Sequence, residues 1–339
     1  MQDGTGPRVT LIVPMRNEEA HIAACLRSII GQDVPPEDIE VLVYDGGSSD
    51  RSRAIATDIA TRHASMVVLD NLRRTQAAAW NQGIDRARGD VIGIVSAHAE
   101  LAPDYVRTAL VTLERTGADM VGGPMRARGE GPLGRAVAAA TSSRFGVGGA
   151  AFHYTDVERD VDTVYMGLAP ASVYRSLRFD ETMVRNQDDE LSYRLLDRGG
   201  RIVCDPAIRS RYHNRATWSG LARQYFEYGW WKVLVMERHP RQVRPRHLIP
   251  AAFVGALVAA LALAPFAFAG RLLLGLVVGS YAVADASATV LTTRRRQEAP
   301  AILVAAVFAT LHVAYGAGVW VGLGQRLVRR DRKRPAALT

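Results

Sequence analysis

In the first part of the chain, short apolar runs rich in β-branched side chains alternate with longer stretches whose apolar positions recur three and four residues apart. The short runs predict strands at 8–15 ("RVTLIVPM"), 39–45 ("IEVLVYD"), 64–70 ("ASMVVLD") and 90–97 ("DVIGIVSA"). Between them "NEEAHIAACLRSII", "DRSRAIATDIA" and "TQAAAWNQGIDRAR" have helical spacing, and Glu18 and Glu19 suit the positive end of a helix, which places the first helix start near Asn17. Strands alternating with helices predict an α/β fold with a mainly parallel central sheet. The Gly-rich stretch from Gly122 to Ala151 reads as a connection carrying an amphipathic helix and loops.

The pattern changes after His247. "LIPAAFVGALVAALALAPFAFAG" (Leu248 to Gly270) is 23 residues without a charge, enough to span a bilayer at about 1.5 Å per residue. A second run follows Arg271 and is broken only by Asp285; a third starts at Ala299 and contains His312. Two to three transmembrane helices are expected over 248–324. The N-terminus lacks a basic region followed by an apolar core, so the residues before 240 are expected on the cytosolic side.

Charge refines this picture through its placement. The formal net charge is +8, and Lys232 and Lys333 are the only lysines. Arg238–His247 precedes the first apolar run, Arg294–Arg296 precedes the third, and Arg329–Arg334 follows it. Basic flanks favour the cytosolic face of a membrane, yet three crossings would put the last cluster outside. Either one run is re-entrant or interfacial, or the tail departs from the rule. No nucleic-acid recognition motif accompanies the charge, and nothing in the sequence sets an oligomeric state. Cys25 and Cys204 read as packed thiols.

Ligands of open α/β sheets bind at the carboxyl ends of the strands. Those positions hold Pro14, Arg16, Asn17 and Glu18 after the first strand; Asp45, Gly46, Gly47, Ser48, Ser49 and Asp50 after the second; and Ser96, His98 and Glu100 after the fourth. An aspartate there can accept a base N–H or a ribose hydroxyl, and glycines let backbone amides approach a ligand. "NQDDELSYRLLDRGGRIV" sets Asp188, Asp189 and Glu190 at a helix start, which is either a plain acidic first turn or a site for a general base.

The segments "VTLIVPMRNEEAHIAACLRSI", "IEVLVYDGGSSDRSRAIA", "NQDDELSYRLLDRGGRIVCDP" and "LARQYFEYGWWKVLVMERHP", in this order and followed by an apolar tail, resemble family 2 glycosyltransferases of GT-A fold, and most of all their ExoA-like branch. The resemblance implies a cytosolic transferase domain over 1–240, with a nucleotide-binding half at about 8–100, an acceptor half at about 101–215 and an interfacial helix at about 216–240, then the membrane helices and a basic tail at 325–339. It implies inverting transfer of a sugar from a nucleotide-diphosphate donor (UDP- or GDP-linked) to a lipid-linked saccharide in cell-surface polysaccharide or glycolipid synthesis, at a bacterial-type plasma membrane. Synthesis of a polyprenyl-phosphate monosaccharide and non-catalytic scaffolding by a sugar-nucleotide-binding module are the alternatives.

Under this resemblance Pro14, Arg16, Asn17, Glu18, Asp45, Gly47 and Ser96 line the nucleotide, with Asp50 a weaker candidate, and Asp188 is the general base, with Gln187 where a glutamate is usual. Tyr165, Met166, Asp189, Glu190, Gln224, Trp230 and Trp231 face the acceptor, Trp230 standing where an arginine is usual. A divalent cation, Mn²⁺ or Mg²⁺, is implied too, but Ser96 replaces the expected aspartate. That leaves His98 as its ligand, with His213 as a possible second; an imidazole suits Mn²⁺ better than Mg²⁺.

Overall fold

A computed structural model of the chain describes residues 6–214 and 217–333, with side chains described as far as Val328. The end of the predicted basic tail, 334–339, and residues 215 and 216 lie outside the described residues. In chain order the elements are β1 (Val9–Met15), α1 (Ile22–Ile30), β2 (Ile39–Asp45), α2 (Ser52–Ala60), β3 (Met66–Asp70), α3 (Gln76–Arg86), β4 (Val91–Ile94), β5 (Ala99–Leu101), α4 (Tyr105–Thr116), β6 (Met120–Gly123), β7 (Arg126–Arg128), α5 (Gly131–Thr141) and α6 (Arg144–Val147). There follow β8 (Arg159–Asp160), β9 (Tyr165–Pro170), α7 (Ala171–Leu177), α8 (Gln187–Asp197), β10 (Ile202–Cys204), β11 (Ser210–His213), α9 (Trp218–Arg238), α10 (Pro245–Leu263), α11 (Phe268–Arg295) and α12 (Ala301–Lys333).

The described residues form two compact units, one of residues 6–126 and 151–213, the other of 127–150, 214 and 217–333. Residues 127–150, with α5 and α6, therefore cluster with the C-terminal helices, whereas the linear reading kept them inside the transferase domain.

The first unit is built on an eight-stranded sheet in the order β3-β2-β1-β4-β9-β6-β10-β8. β1, β2, β3 and β4 are mutually parallel, and β9 runs antiparallel between β4 and β6. Alternation along β1 feeds two cores. Leu11, Val13 and Met15 face α1 through Ile22, Cys25, Leu26 and Ile29, while Ile12 faces α3 through Trp80 and Ile84. Full burial of each large side chain stabilises the fold by about 1.5–3 kcal/mol. Helix α3 sits close to the sheet because Gly83 has no side chain: a Cβ there would lie 2.6 Å from the Ile12 side chain.

At the N-terminal edge of the strands, the Thr10 hydroxyl donates to Glu40 at 2.7 Å, and the Arg88 backbone N–H and Nε donate to the same carboxylate at 2.9 and 2.7 Å. Burial pushes the Glu40 carboxyl up, but the Arg88 N–H, the Thr10 hydroxyl and the Arg88 guanidinium outweigh it and hold the group below the usual glutamate range.

The second unit is helical. Helices α10, α11 and α12 are each long and apolar enough to cross a membrane. Their exposed side chains include Val258, Leu261, Leu276, Val283 and Val313, a surface suited to lipid.

Candidate active site

The sheet order reverses between β1 and β4: chain progress from β1 leads outward through β2 and β3 on one side, while β4 lies on the other. Such a switch point opens a crevice at the strands' carboxyl ends. The register pairs Met15 with Asp45 and Ile12 with Ile94, so the loops after β1, β2 and β4 emerge side by side there.

The first helix starts at Ile22, five residues beyond the predicted Asn17. Asn17 adopts a left-handed conformation with φ of 55°, and the backbone N–H groups of Asn17, Glu18 and Glu19 donate to Ser48 Oγ, Ser52 Oγ and Asp50 Oδ2 at 3.0, 2.7 and 3.2 Å. In return, Asn17 Oδ1 accepts from the Ser49 N–H at 2.8 Å. Side chains of one loop thus satisfy the backbone donors of the other, which competes with helix formation in the way Ser, Asn and Asp commonly do. Asp50 is a clamp in this lattice; the Ser52 hydroxyl in particular holds its carboxyl below the usual aspartate range.

Asp45 is buried, and its carboxylate accepts from Ser48 Oγ at 2.6 Å and from Arg53 Nη1 at 3.3 Å. Arg53 also binds Asp70 at 2.5 Å, so one guanidinium ties the ends of β2 and β3 together. Gly47 has φ of +76°, which glycine adopts at no steric cost. A Cβ there would sit 3.3 Å from Nε of Arg74, while one at Gly46 would lie 3.5 Å from the Arg16 side chain. Arg16 and Arg74 are both exposed, so two cations border the Gly46–Gly47 turn. Arg53 and Arg74 escaped the sequence reading because they follow no strand directly; the loop signal "DNLRRTQ" at the end of β3 was the available clue.

After β4, the turn through Ala97 and His98 presents the imidazole between two partners. His98 Nδ1 is 3.2 Å from Glu18 Oε1, and its Nε2 is 3.1 Å from Ser96 Oγ. Tyr212 packs edge-on against the His98 ring at 5.2 Å, and Tyr165 packs edge-on against Tyr212 at 5.7 Å. His213 Nε2 is 2.7 Å from Glu100 Oε1, and its ring stacks on His21. Cys25 donates toward the Ser96 carbonyl at 3.5 Å; burial above all, with the Glu18 and Glu100 carboxylates adding, pushes its thiol up to about 12, which leaves a protonated packing group.

The expected cation ligands are thus engaged elsewhere: both ring nitrogens of His98 have protein partners, and His213 pairs with Glu100. Among the described residues no group of three or more His, Cys, Asp or Glu side chains could hold a metal ion. With Ser96 in place of a carboxylate, this donor set does not fit a hard divalent cation, which needs several carboxylate or carbonyl oxygens around it.

On the other side of β4, Met166 opens β9 with φ of 51°, a strained value for a side chain of its size, and Tyr105 donates to its carbonyl at 3.1 Å. Its sulfur lies 3.4 Å from the Ser96 N–H, which brings the predicted acceptor segment to the end of β4. Tyr174 donates to the neighbouring Gly167 carbonyl at 2.8 Å; its hydroxyl is held above the usual tyrosine range, mainly by burial, then by Tyr105 and the Asp188 carboxylate. Asp188 itself is exposed in the first turn of α8, behind a left-handed Asn186 with φ of 59°. Glu190 is buried, and Arg194 Nε and Nη2 bind it at 2.8 and 2.7 Å, so this predicted acceptor residue is a structural ion pair. Gln187 donates to the Met183 carbonyl at 3.2 Å and braces the same turn. Gln224, Trp230 and Trp231 belong to the second unit: Gln224 donates to the Tyr228 hydroxyl at 2.8 Å, and Trp230 packs edge-on to Trp231 at 4.8 Å.

With this geometry in place, comparison with known proteins is informative. The model of glycosyl transferase family 2 matches residues 10–157. The chain is 29% identical over 313 residues to the succinoglycan biosynthesis protein ExoA of Rhizobium meliloti, covering 91% of this chain and 93% of that one. It is 28% identical over 239 residues to dolichyl N-acetyl-alpha-D-glucosaminyl phosphate 3-beta-D-2,3-diacetamido-2,3-dideoxy-beta-D-glucuronosyltransferase of Methanococcus voltae, covering 68% and 74%. In fold it resembles the mannosyltransferase PcManGT of Pyrobaculum calidifontis, solved with GDP-Man and Mn²⁺, with a TM-score of 0.61 at 19% identity over 95% of this chain and 89% of that one. The switch-point loops, the family match across β1 to β4 and the likeness along nearly the whole length agree: residues 10–157 match glycosyl transferase family 2, and the fold is of the GT-A kind.

Proposed function

We propose that the protein is an inverting glycosyltransferase that moves a sugar from a nucleotide-diphosphate donor to a lipid-linked saccharide at the cytosolic face of a plasma membrane, in polysaccharide or glycolipid synthesis. The observation that carries this reading is the convergence at one switch point of three knitted strand-end loops, with an exposed Asp188 whose charge acts on Tyr174, the residue that holds the Gly167 carbonyl of β9. In this reading the nucleoside sits over Asn17, Asp45 and Gly47, and the diphosphate lies against Arg16, Arg74 and the backbone amides of the Gly46–Ser49 turn. Asp188 takes the proton of the acceptor hydroxyl as its oxygen attacks the anomeric carbon; the bond to the donor's phosphate oxygen breaks, and the nucleoside diphosphate departs with that electron pair.

The named activities of the relatives support the substrate classes. The Methanococcus voltae protein carries a dolichyl-linked acceptor in its name, and solved neighbours hold GDP-Man or, in TarS of S. aureus, UDP-GlcNAc. PcManGT also holds Mn²⁺. Because the donor set here does not fit such an ion, no step in this reading runs through a metal. The test is radiolabelled transfer from a panel of UDP- and GDP-sugars to lipid extracts by the detergent-purified protein, with analysis of the anomeric product. Transfer with inversion supports the reading; nucleotide binding without turnover across the panel would leave a sugar-nucleotide-binding scaffold.

A further inference from the structure

The three basic segments of the C-terminal region cannot all lie on one membrane face if all three apolar helices cross, and the packing of the second unit separates those helices into two kinds. In α10 and α11 only 22% and 17% of the most apolar stretch is buried, and Phe266 in the turn joining them and Phe268 at the start of α11 are exposed. In α12 the buried share is 39%.

Neighbours cover α12 along most of its length. Its Val304, Val307, Phe308 and Leu311 pack with Val137 and Ala140 of α5. Helix α5 has 11 residues, too few to span a bilayer, and its Arg135 Nε donates to the Glu298 carbonyl at 3.0 Å. Farther along, α12 meets α9 nearly backbone to backbone. A Cβ at Gly229 would overlap the Tyr315 carbonyl, one at Gly318 the Phe226 carbonyl, and one at Gly322 would lie 2.9 Å from the Trp230 carbonyl. Trp230 Nε1 donates to Gln325 at 3.1 Å, and Arg326 pairs with Glu237.

Helix α9 carries Arg223, Glu227, Lys232, Glu237 and Arg238 within 21 residues. If α12 crossed the hydrocarbon, α9 would be drawn in beside it, and its charges would have to leave water for the apolar interior, which is costly for each charge near the midplane. The exposed apolar residues of α12 include a seven-residue repeat, Val313, Trp320 and Leu327, with Val321 and Val328 alongside, besides Ile302 at its start and Leu323, so the repeat gives the C-terminal half of the helix an apolar stripe suited to lipid.

We propose that only α10 and α11 cross the bilayer, and that α12 lies along the same membrane face as α9, with its apolar stripe in the headgroup region. Its basic end then meets anionic lipid, and the chain returns to the side that holds Arg238–His247 and Arg294–Arg296. All three basic segments then share one face, as charge placement requires.

The test uses the full-length protein with one added cysteine at a time: Ala267→Cys in the α10–α11 turn, Gln297→Cys before α12, and Thr339→Cys at the end. Cys25 and Cys204 are buried, so the parent protein supplies the background. A membrane-impermeant maleimide is applied to intact spheroplasts and to inside-out vesicles. The expected result is that Gln297→Cys and Thr339→Cys label in the same preparation and Ala267→Cys in the other. Labelling of Thr339→Cys from the side of Ala267→Cys would show that α12 crosses; labelling of all three from one side would show that the hairpin does not. Either result overturns the proposal.

Discussion

Glu18 Oε1 lies 3.2 Å from His98 Nδ1, across 80 residues of sequence, and this pair joins the loop after β1 to the turn after β4. The imidazole therefore organises the switch point from within the protein, beside Ser96, which stands where the resemblance implies an aspartate.

Replacing His98 by Ala should untie the two loops and weaken nucleotide binding by about tenfold, the worth of roughly one net hydrogen bond. Calorimetric titration of UDP and GDP checks this. The loss should be the same with Mn²⁺ and with chelator; a loss confined to Mn²⁺ buffers would make His98 a metal ligand after all.

Arg74 borders the Gly47 turn with an exposed guanidinium. Arg74→Gln should raise the dissociation constant for the nucleoside diphosphate by about 10- to 100-fold, the range of a charge-assisted contact. The corresponding nucleoside, which lacks the diphosphate, should bind both proteins alike; equal losses for both ligands would move Arg74 away from the phosphates.

Asp188 is tested by turnover. Asp188→Asn should lower kcat by about 10²- to 10⁴-fold, as expected for a general base, with donor affinity nearly unchanged. Retention of most activity would instead favour an acceptor that needs no base, such as a lipid phosphate.

Glu40 is a stability prediction with a pH sign. Its carboxyl is held below the usual range when folded, so its stabilisation is present above the ordinary glutamate value and disappears as pH falls through the depressed one. Glu40→Gln should therefore cost about 1–3 kcal/mol at neutral pH. Thermal melts of the two proteins should converge as the pH drops below about 4.

Gly318 faces the backbone of α9 with no room for a side chain. Gly318→Leu should overpack the α9–α12 pair by about 1–3 kcal/mol and lower the melting temperature in detergent. An unchanged melt would mean that the two helices do not pack closely.

Periodicity sufficed for the α/β class, for β1 to β4 and for the apolar C-terminal helices, because alternation and helical spacing are local properties of burial. The GT-A fold and the positions at strand ends were legible through motif resemblance, so Asn17, Asp45, Asp188 and His98 could be named without coordinates. What those side chains do was not legible. The start of α1 moved to Ile22 because serines more than thirty residues away claim the backbone of Asn17 and Glu18. His98 and His213 read as a possible pair of ligands until Glu18 and Glu100 were seen to engage them, and Glu190 read as an acceptor contact until Arg194 closed on it. Hydropathy treated α12 as equal to α10 and α11, since a window average records how apolar a segment is but not which neighbours cover it. Long-range partners of polar groups and the packing of helix faces are set by the chain's return in space, and only the tertiary structure decides them.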